Sequence, residues 1–233
     1  MRPPIREAAR AFGVVFGPSV LLDTAAGSLA SSVHALRRHR RPSRAVALAS
    51  GLIGAYFAIG RPLMLHWGAT CEELREPLPG DDLVEHPAVQ STRAVTVEAP
   101  PEAVWPWLAQ LGQDRAGFYS YEWLENLAGC EMRNADRIHH EWQHRELGDI
   151  VHLHPAGGLK VNLFQPQRAL GLEGWGTFAD VSVDKDRTRL IARGGVPRGA
   201  AAALYAVLME IPHFLMERRM LLGIKQRTEA SRP

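Results

Sequence analysis

The sequence predicts an α+β protein: a curved antiparallel sheet wrapped around a long C-terminal helix, carried behind an N-terminal membrane helix. Three observations predict it. An uncharged run, Ala45 to Gly60, follows directly on five clustered arginines. From Asp149 onward the apolar residues recur with a period of two, in short runs separated by turn-forming residues and not by helical segments. The chain closes on a helical pattern, Gly199 to Lys225.

Residues 1–44 form a basic leader, with eight Arg against Glu7 and Asp23, a net of +6 in a chain whose formal charge is +2. The remaining residues are therefore net acidic, and no basic stripe interleaved with aromatics occurs among them, which excludes a nucleic-acid binder. Within the leader, residues 11–36 are weakly apolar and broken by Gly17-Pro18 and Asp23. An interfacial helix, a poor second span and a disordered leader all remain open there.

Residues 45–67 are expected to be a transmembrane helix. The uncharged core alone covers roughly 24 Å, short of a hydrocarbon layer of about 30 Å. Extension to Trp67, with Arg61 snorkelling, supplies the length. Arg37, Arg38, Arg40, Arg41 and Arg44 precede the run, whereas Glu72, Glu73 and Glu76 follow it. That asymmetry predicts a single-pass membrane protein with a cytoplasmic N-terminus and its folded domain on the extracytoplasmic face. A cleaved signal peptide fits worse, because 44 residues stand before the run. Cys71 and Cys130 are too few for a disulfide framework; one bridge and two free thiols are equally consistent.

Residues 68–90, rich in acids and Pro, read as a linker, and 91–229 as the domain. Arg93 to Ala99 alternates as a half-buried strand. Pro100-Pro101-Glu102 then opens a helix in which Val104, Trp107, Leu108 and Leu111 share a face, with a kink or a restart near its beginning expected from Pro106. Tyr121 to Leu127 is a second short helix. Strands follow at 150–154, 159–164, 169–172, 177–183 and 188–193. In the last helix Leu204, Val207, Leu208, Ile211, Phe214 and Leu215 are expected to face the core, and Pro212 to kink it. A second span there is disfavoured by Glu210 and Pro212 at its centre.

Residues 105–143 hold four of the six Trp and two of the four Tyr, interleaved with hydrogen-bonding and charged groups. Such mixtures line cavities for mainly apolar molecules. The candidate ligand-binding residues are Arg115, Tyr119, Tyr121, Trp123, Glu125, Asn126, Arg137, Glu141 and, further on, Trp175. The aromatics would form apolar walls. The charged groups and Asn126 would orient a polar head group or pair with one another in a structural network.

The stretches TRAVTVEAPPEAVWPWLAQLGQDRAGFYSYEWLENLAG, GDIVHL and MERRMLLGIKQRTE, in this order of elements, resemble the SRPBCC superfamily. More narrowly, the chain is similar to membrane-anchored actinobacterial members of the polyketide cyclase/dehydratase-like kind. The likeness covers about residues 66–229 and is specific over 92–143. It implies a helix-grip fold, shared with START-like lipid-transfer domains, and a deep hydrophobic cavity between sheet and terminal helix. Members include lipid carriers, receptors and cyclases, so the resemblance implies a ligand and not a reaction.

The leading expectation is therefore a membrane-tethered domain whose internal cavity binds a hydrophobic small molecule or lipid, a binding protein more than an enzyme. The alternative is a cyclase or dehydratase with Glu125 or Glu141 as general base and Tyr119 or Tyr121 as donor. His140-Glu141-Trp142-Gln143-His144 satisfies the H-E-x-x-H zinc pattern, with His152 or His154 as a third ligand. The metzincin extension fails at Leu147 and Ile150, and a strand opens only a few residues after His144, so zinc hydrolysis is the least favoured reading. No G-x-G-x-x-G, P-loop or G-x-S-x-G motif occurs, and no cofactor or catalytic residue is assigned.

Overall fold

The computed structural model describes residues 43–174 and 176–231. The chain divides into two compact units, Met1–Leu63 and Met64–Pro233. The described part of the first belongs to helix α1, Arg44–Leu65, which is long and apolar enough to cross a membrane and whose most apolar 18 residues are unburied. Its 22 residues extend roughly 33 Å, against about 30 Å of hydrocarbon. Ser43 caps the start, its Oγ accepting from the Val46 N–H at 3.4 Å. A π turn, Tyr56–Gly60, stands just before Pro62, where the proline has no N–H to give to the helical ladder.

The second unit is α+β, with a six-stranded antiparallel sheet and a long C-terminal helix. The strands are β1 (Val89–Val97), β2 (Ile150–His154), β3 (Gly157–Gln165), β4 (Ala169–Leu172), β5 (Gly176–Asp184) and β6 (Arg187–Val196), in sheet order β1-β6-β5-β4-β3-β2. Strands β2 to β6 form the meander that the two-residue period predicts. The first strand closes it by pairing with the last, Arg93 opposite Ala192. Helices α2 (Pro101–Ala109) and α3 (Glu122–Leu127) fill the gap between β1 and β2. At the end come α4 (Ala200–Leu204), a π turn over Tyr205–Met209 and α5 (Glu210–Ala230), one uninterrupted helical run.

Both prolines expected to kink their helices lie inside helical runs that continue past them. Pro106 lies inside α2, as the sixth of its nine residues, so it leaves the Glu102 carbonyl without its usual i to i−4 donor, and the helix continues through it to Ala109. Pro212 follows the Tyr205–Met209 π turn, whose wider hydrogen-bond spacing absorbs the missing i to i−4 bond, so the run continues to Ala230.

The terminal run differs more deeply from expectation. Leu204, Val207, Ile211 and Leu215 are exposed, and the core face lies further along, at Met220, Leu221 and Ile224. These three pack with Trp107, Leu108, Tyr119, Phe178 and Leu190 in one continuous core. The space between sheet and helix, where an internal cavity was expected, is occupied by those side chains. Apolar residues at helical spacing show which face is apolar, but not what covers it.

Segment 68–90, expected to be a linker, is bound to the sheet. Arg189 makes a bidentate pair with Glu73 at 2.7 and 2.8 Å. Arg193 donates to the Glu76 carbonyl at 2.9 Å, to Asp81 at 2.7 Å and to the Glu73 carbonyl. On the opposite face of β1, Arg93 pairs with Glu217 of α5 and donates to the Met64 carbonyl at 2.8 Å. With both partners nearly inaccessible, the Arg93–Glu217 pair is sustained by its geometry. Strands β1 and β6 are thus covered on both sides.

Candidate groove beside the terminal helix

The loop from Gly112 to Ala135 is held against α5 by polar contacts that begin at Tyr119. Gly112 and Gly117 bond each other across a tight turn, which delivers Tyr119 in a left-handed conformation, φ 55°. Asn134 locks that conformation, its Oδ1 accepting from the Tyr119 N–H at 2.6 Å and its Nδ2 donating to the Ser120 carbonyl at 3.0 Å. The phenol points into the core, donating to the Trp107 carbonyl at 3.1 Å and accepting from Gln110 Nε2 at 2.9 Å. Burial pushes its pKa well above the ordinary phenol range.

Tyr119 meets α5 at Gly223. A Cβ there would stand 2.5 Å from the Tyr119 carbonyl oxygen, so only glycine lets helix and loop approach this closely. One helical turn to either side, at positions four residues away, stand Arg219 and Arg227. The Arg227 guanidinium lies 4.9 Å from the centre of the Tyr119 ring, and its Nε donates to the Ala135 carbonyl at 2.8 Å. Arg219 lies 6.0 Å from the Tyr121 ring, and Arg218 lies 4.9 Å from the Trp67 ring. Ser120 Oγ donates to the Met216 carbonyl at 3.0 Å, closing the seam.

Along this seam runs an open groove of about 650 Å³. Its walls are Tyr119, Tyr121 and Trp123 from the loop and α3, and Arg218, Arg219, Leu222 and Arg227 from the terminal helix. The single carboxylate on the lining, Glu122, accepts from the Asn134 N–H at 2.6 Å. Three guanidiniums against one carboxylate make the groove cationic, and the aromatic rims make it amphipathic. That combination suits an anionic head group followed by an apolar or planar body.

Of the residues singled out from the sequence, Tyr119, Tyr121 and Trp123 come together here. The others have separate roles. Arg115 Nη1 donates to the Trp142 and His144 carbonyls, both at 3.1 Å, and so pins the 140–145 loop. Asn126 clamps Met132 through both its backbone N–H, at 2.5 Å, and its carbonyl, at 3.1 Å. Arg137 is exposed, and it is its carbonyl that is used, accepting from Gln110 at 3.1 Å. Glu141 is exposed and pairs with His139 at 3.1 Å, while His139 stacks on Trp142. Trp175 lies outside the described residues.

Glu125 is the exception among the acids. It is 4% exposed, faces inward from α3, and its Oε2 has no hydrogen-bond partner. Burial and then the Glu122 charge push its pKa up to about 7. It does not belong to the groove lining.

His140–Trp142 form a single 3₁₀ turn, and the chain after it is irregular up to β2. His140 and His144 therefore do not share the face of an α-helix, the geometry that the zinc pattern requires. Among the described residues no group of three His, Cys, Asp or Glu is placed to hold a metal ion. Cys71 and Cys130 are free thiols.

Sequence reasoning assigned Arg218 and Arg219 only to the carboxyl end of a helix and did not single out Arg227. The signal was present as Arg219-Gly223-Arg227, two cations flanking a glycine on one helical face. No protein-family model matches the chain, and no curated protein matches it.

Proposed function

We propose that this chain is a membrane-tethered domain of the helix-grip type, as its SRPBCC resemblance implies, and that it binds a lipid or hydrophobic small molecule bearing an acidic head group. The carrying observation is the groove, cationic from Arg218, Arg219 and Arg227 and walled by Tyr121 and Trp123. The head group would accept from the guanidiniums, and the apolar body would lie against Trp123 and Leu222. The side chains of Trp107, Tyr119, Phe178 and Met220 pack in one core between sheet and helix, which favours this lateral groove over the interior as the ligand's place.

Helix α1 supplies the tether, with the arginine-rich side cytoplasmic and the domain on the extracytoplasmic face. The cyclase or dehydratase reading needs a carboxylate facing the bound molecule. Glu141 is exposed and paired with His139, and Glu125 is enclosed on the inward side of α3, away from the groove lining, so binding is the better supported of the two.

The test is titration of the full-length protein in detergent with a fluorescent fatty acid. Saturable binding that Arg218→Ala/Arg219→Ala weakens by more than about tenfold is the expected result, since each charged hydrogen bond is worth about 1.5–3 kcal/mol. Equal binding by the parent and the double variant would overturn the assignment.

A further inference from the structure

The amino half of the terminal helical run is inside out for a helix in water. Leu204, Val207, Ile211 and Leu215 are 58, 66, 48 and 45% exposed. Their steps of three, four and four residues place them in one stripe. The ionisable groups of the same stretch are turned inward, with Glu210 only 1% and Glu217 only 2% exposed. The Tyr205 hydroxyl lies 2.6 Å from His213 Nδ1, His213 Nε2 lies 3.7 Å from Glu217, and Glu217 pairs with Arg93. A helix packed for an aqueous surface has the opposite polarity.

The stripe also ends as membrane-facing surfaces end. One turn past Leu215, Arg218 is stacked on Trp67 and Arg219 lies beside Tyr121. Trp and Tyr with long cationic side chains mark the head-group level of a bilayer. Trp67 is also the second residue after α1 ends at Leu65, the position in the chain where a membrane helix carries its interfacial aromatic. On the stripe's own face the next positions are Arg218 and Leu222, which line the groove.

We infer that Leu204, Val207, Ile211 and Leu215 are seated in the outer acyl layer of a lipid bilayer, holding the mouth of the groove at the head groups. The helix lies along the interface and does not cross it. Its stretch 200–215 spans roughly 24 Å, less than the hydrocarbon layer of about 30 Å. Arg198 stands immediately before it, at the interface. The inference rests on the reading of α1 as a membrane tether, and the test separates the two.

The full chain carrying Cys71→Ser and Cys130→Ser receives a single cysteine, labelled with bimane, at Val207, Ile211, Leu52 or Glu173. Each protein is reconstituted into phosphatidylcholine–phosphatidylglycerol vesicles with or without brominated acyl chains. Loss of most bimane emission at 207, 211 and 52, with none at the exposed β4–β5 turn residue 173, is the expected result. Quenching at 52 without quenching at 207 and 211 overturns the inference and leaves the tether standing. No quenching at any of the three overturns both. Labels at 207 and 211 that escape bromine and are also shielded from aqueous acrylamide overturn the inference too, because the stripe is then covered by a second copy or by residues 1–42.

Discussion

Replacing Glu125 by Gln is expected to stabilise the protein at high pH and to leave it unchanged at low pH. In the native state the carboxyl is enclosed, lacks a partner for Oε2, and has its pKa pushed from an ordinary 4.5 to about 7. In the unfolded chain it returns to its ordinary value. Between those limits the folded state binds more protons than the unfolded state, so stability falls as pH rises. The contribution is fully present below about pH 4.5 and fully lost above about pH 7. One pH unit in that window corresponds to about 1.4 kcal/mol, so the whole span amounts to about 3 kcal/mol. Urea unfolding of the full-length parent and of Glu125→Gln in mild detergent, followed by tryptophan fluorescence from about pH 4.5 to about pH 8, reads this directly. The gap between the two proteins should open with pH in favour of the variant. A gap that stays constant across the range would mean that Glu125 titrates equally in the folded and unfolded states, and would refute the reasoning.

Arg93→Met leaves the Glu217 carboxylate enclosed without its guanidinium and should cost about 3–5 kcal/mol, while Arg93→Met/Glu217→Met should recover much of it; the same urea series measures both. Gly223→Ala forces a methyl against the Tyr119 backbone and should cost about 1–3 kcal/mol, and a melting temperature equal to the parent's would rule out the close approach. Arg145, whose pKa is lowered by burial to about 10, donates to the Ala109 and Leu111 carbonyls at 2.9 and 2.6 Å, at the end of α2. Arg145→Met should cost roughly 2–3 kcal/mol by orphaning those acceptors, read as a lower urea midpoint. Arg227→Ala should weaken fatty-acid binding and stability together, because it also anchors the Ala135 carbonyl; Arg218→Ala/Arg219→Ala should weaken binding with little change in melting temperature.

The secondary structure was legible to a large degree because each element carries its own short-range signal. Alternation wrote the meander from Ile150 to Val196, and Pro100-Pro101-Glu102 wrote the start of α2. Of the groove lining, Tyr119, Tyr121 and Trp123 stood out in the sequence as aromatics close together and interleaved with polar groups. Arg115, Asn126 and Arg137 were not, since a side chain that clamps a backbone carbonyl has the same letter as one that meets a ligand. Gln110 shows this most clearly. It is fully enclosed and ties Tyr119, Arg137, His139 and Gln143 together, yet in the sequence it is one more polar residue after a helix.

By itself the sequence determined the things that local periodicity and charge can encode: an apolar helix behind an arginine cluster, an antiparallel α+β order, and an aromatic-rich segment over 105–143. The tertiary structure alone decided which surfaces meet. It closed the core with Trp107, Tyr119 and Met220, brought Arg219, Gly223 and Arg227 against the loop to form a groove, and left Leu204 to Leu215 uncovered. The physical reason is that the spacing of apolar residues along a helix gives the direction of its apolar face, whereas the partner of that face is set by contacts among residues far apart in the chain.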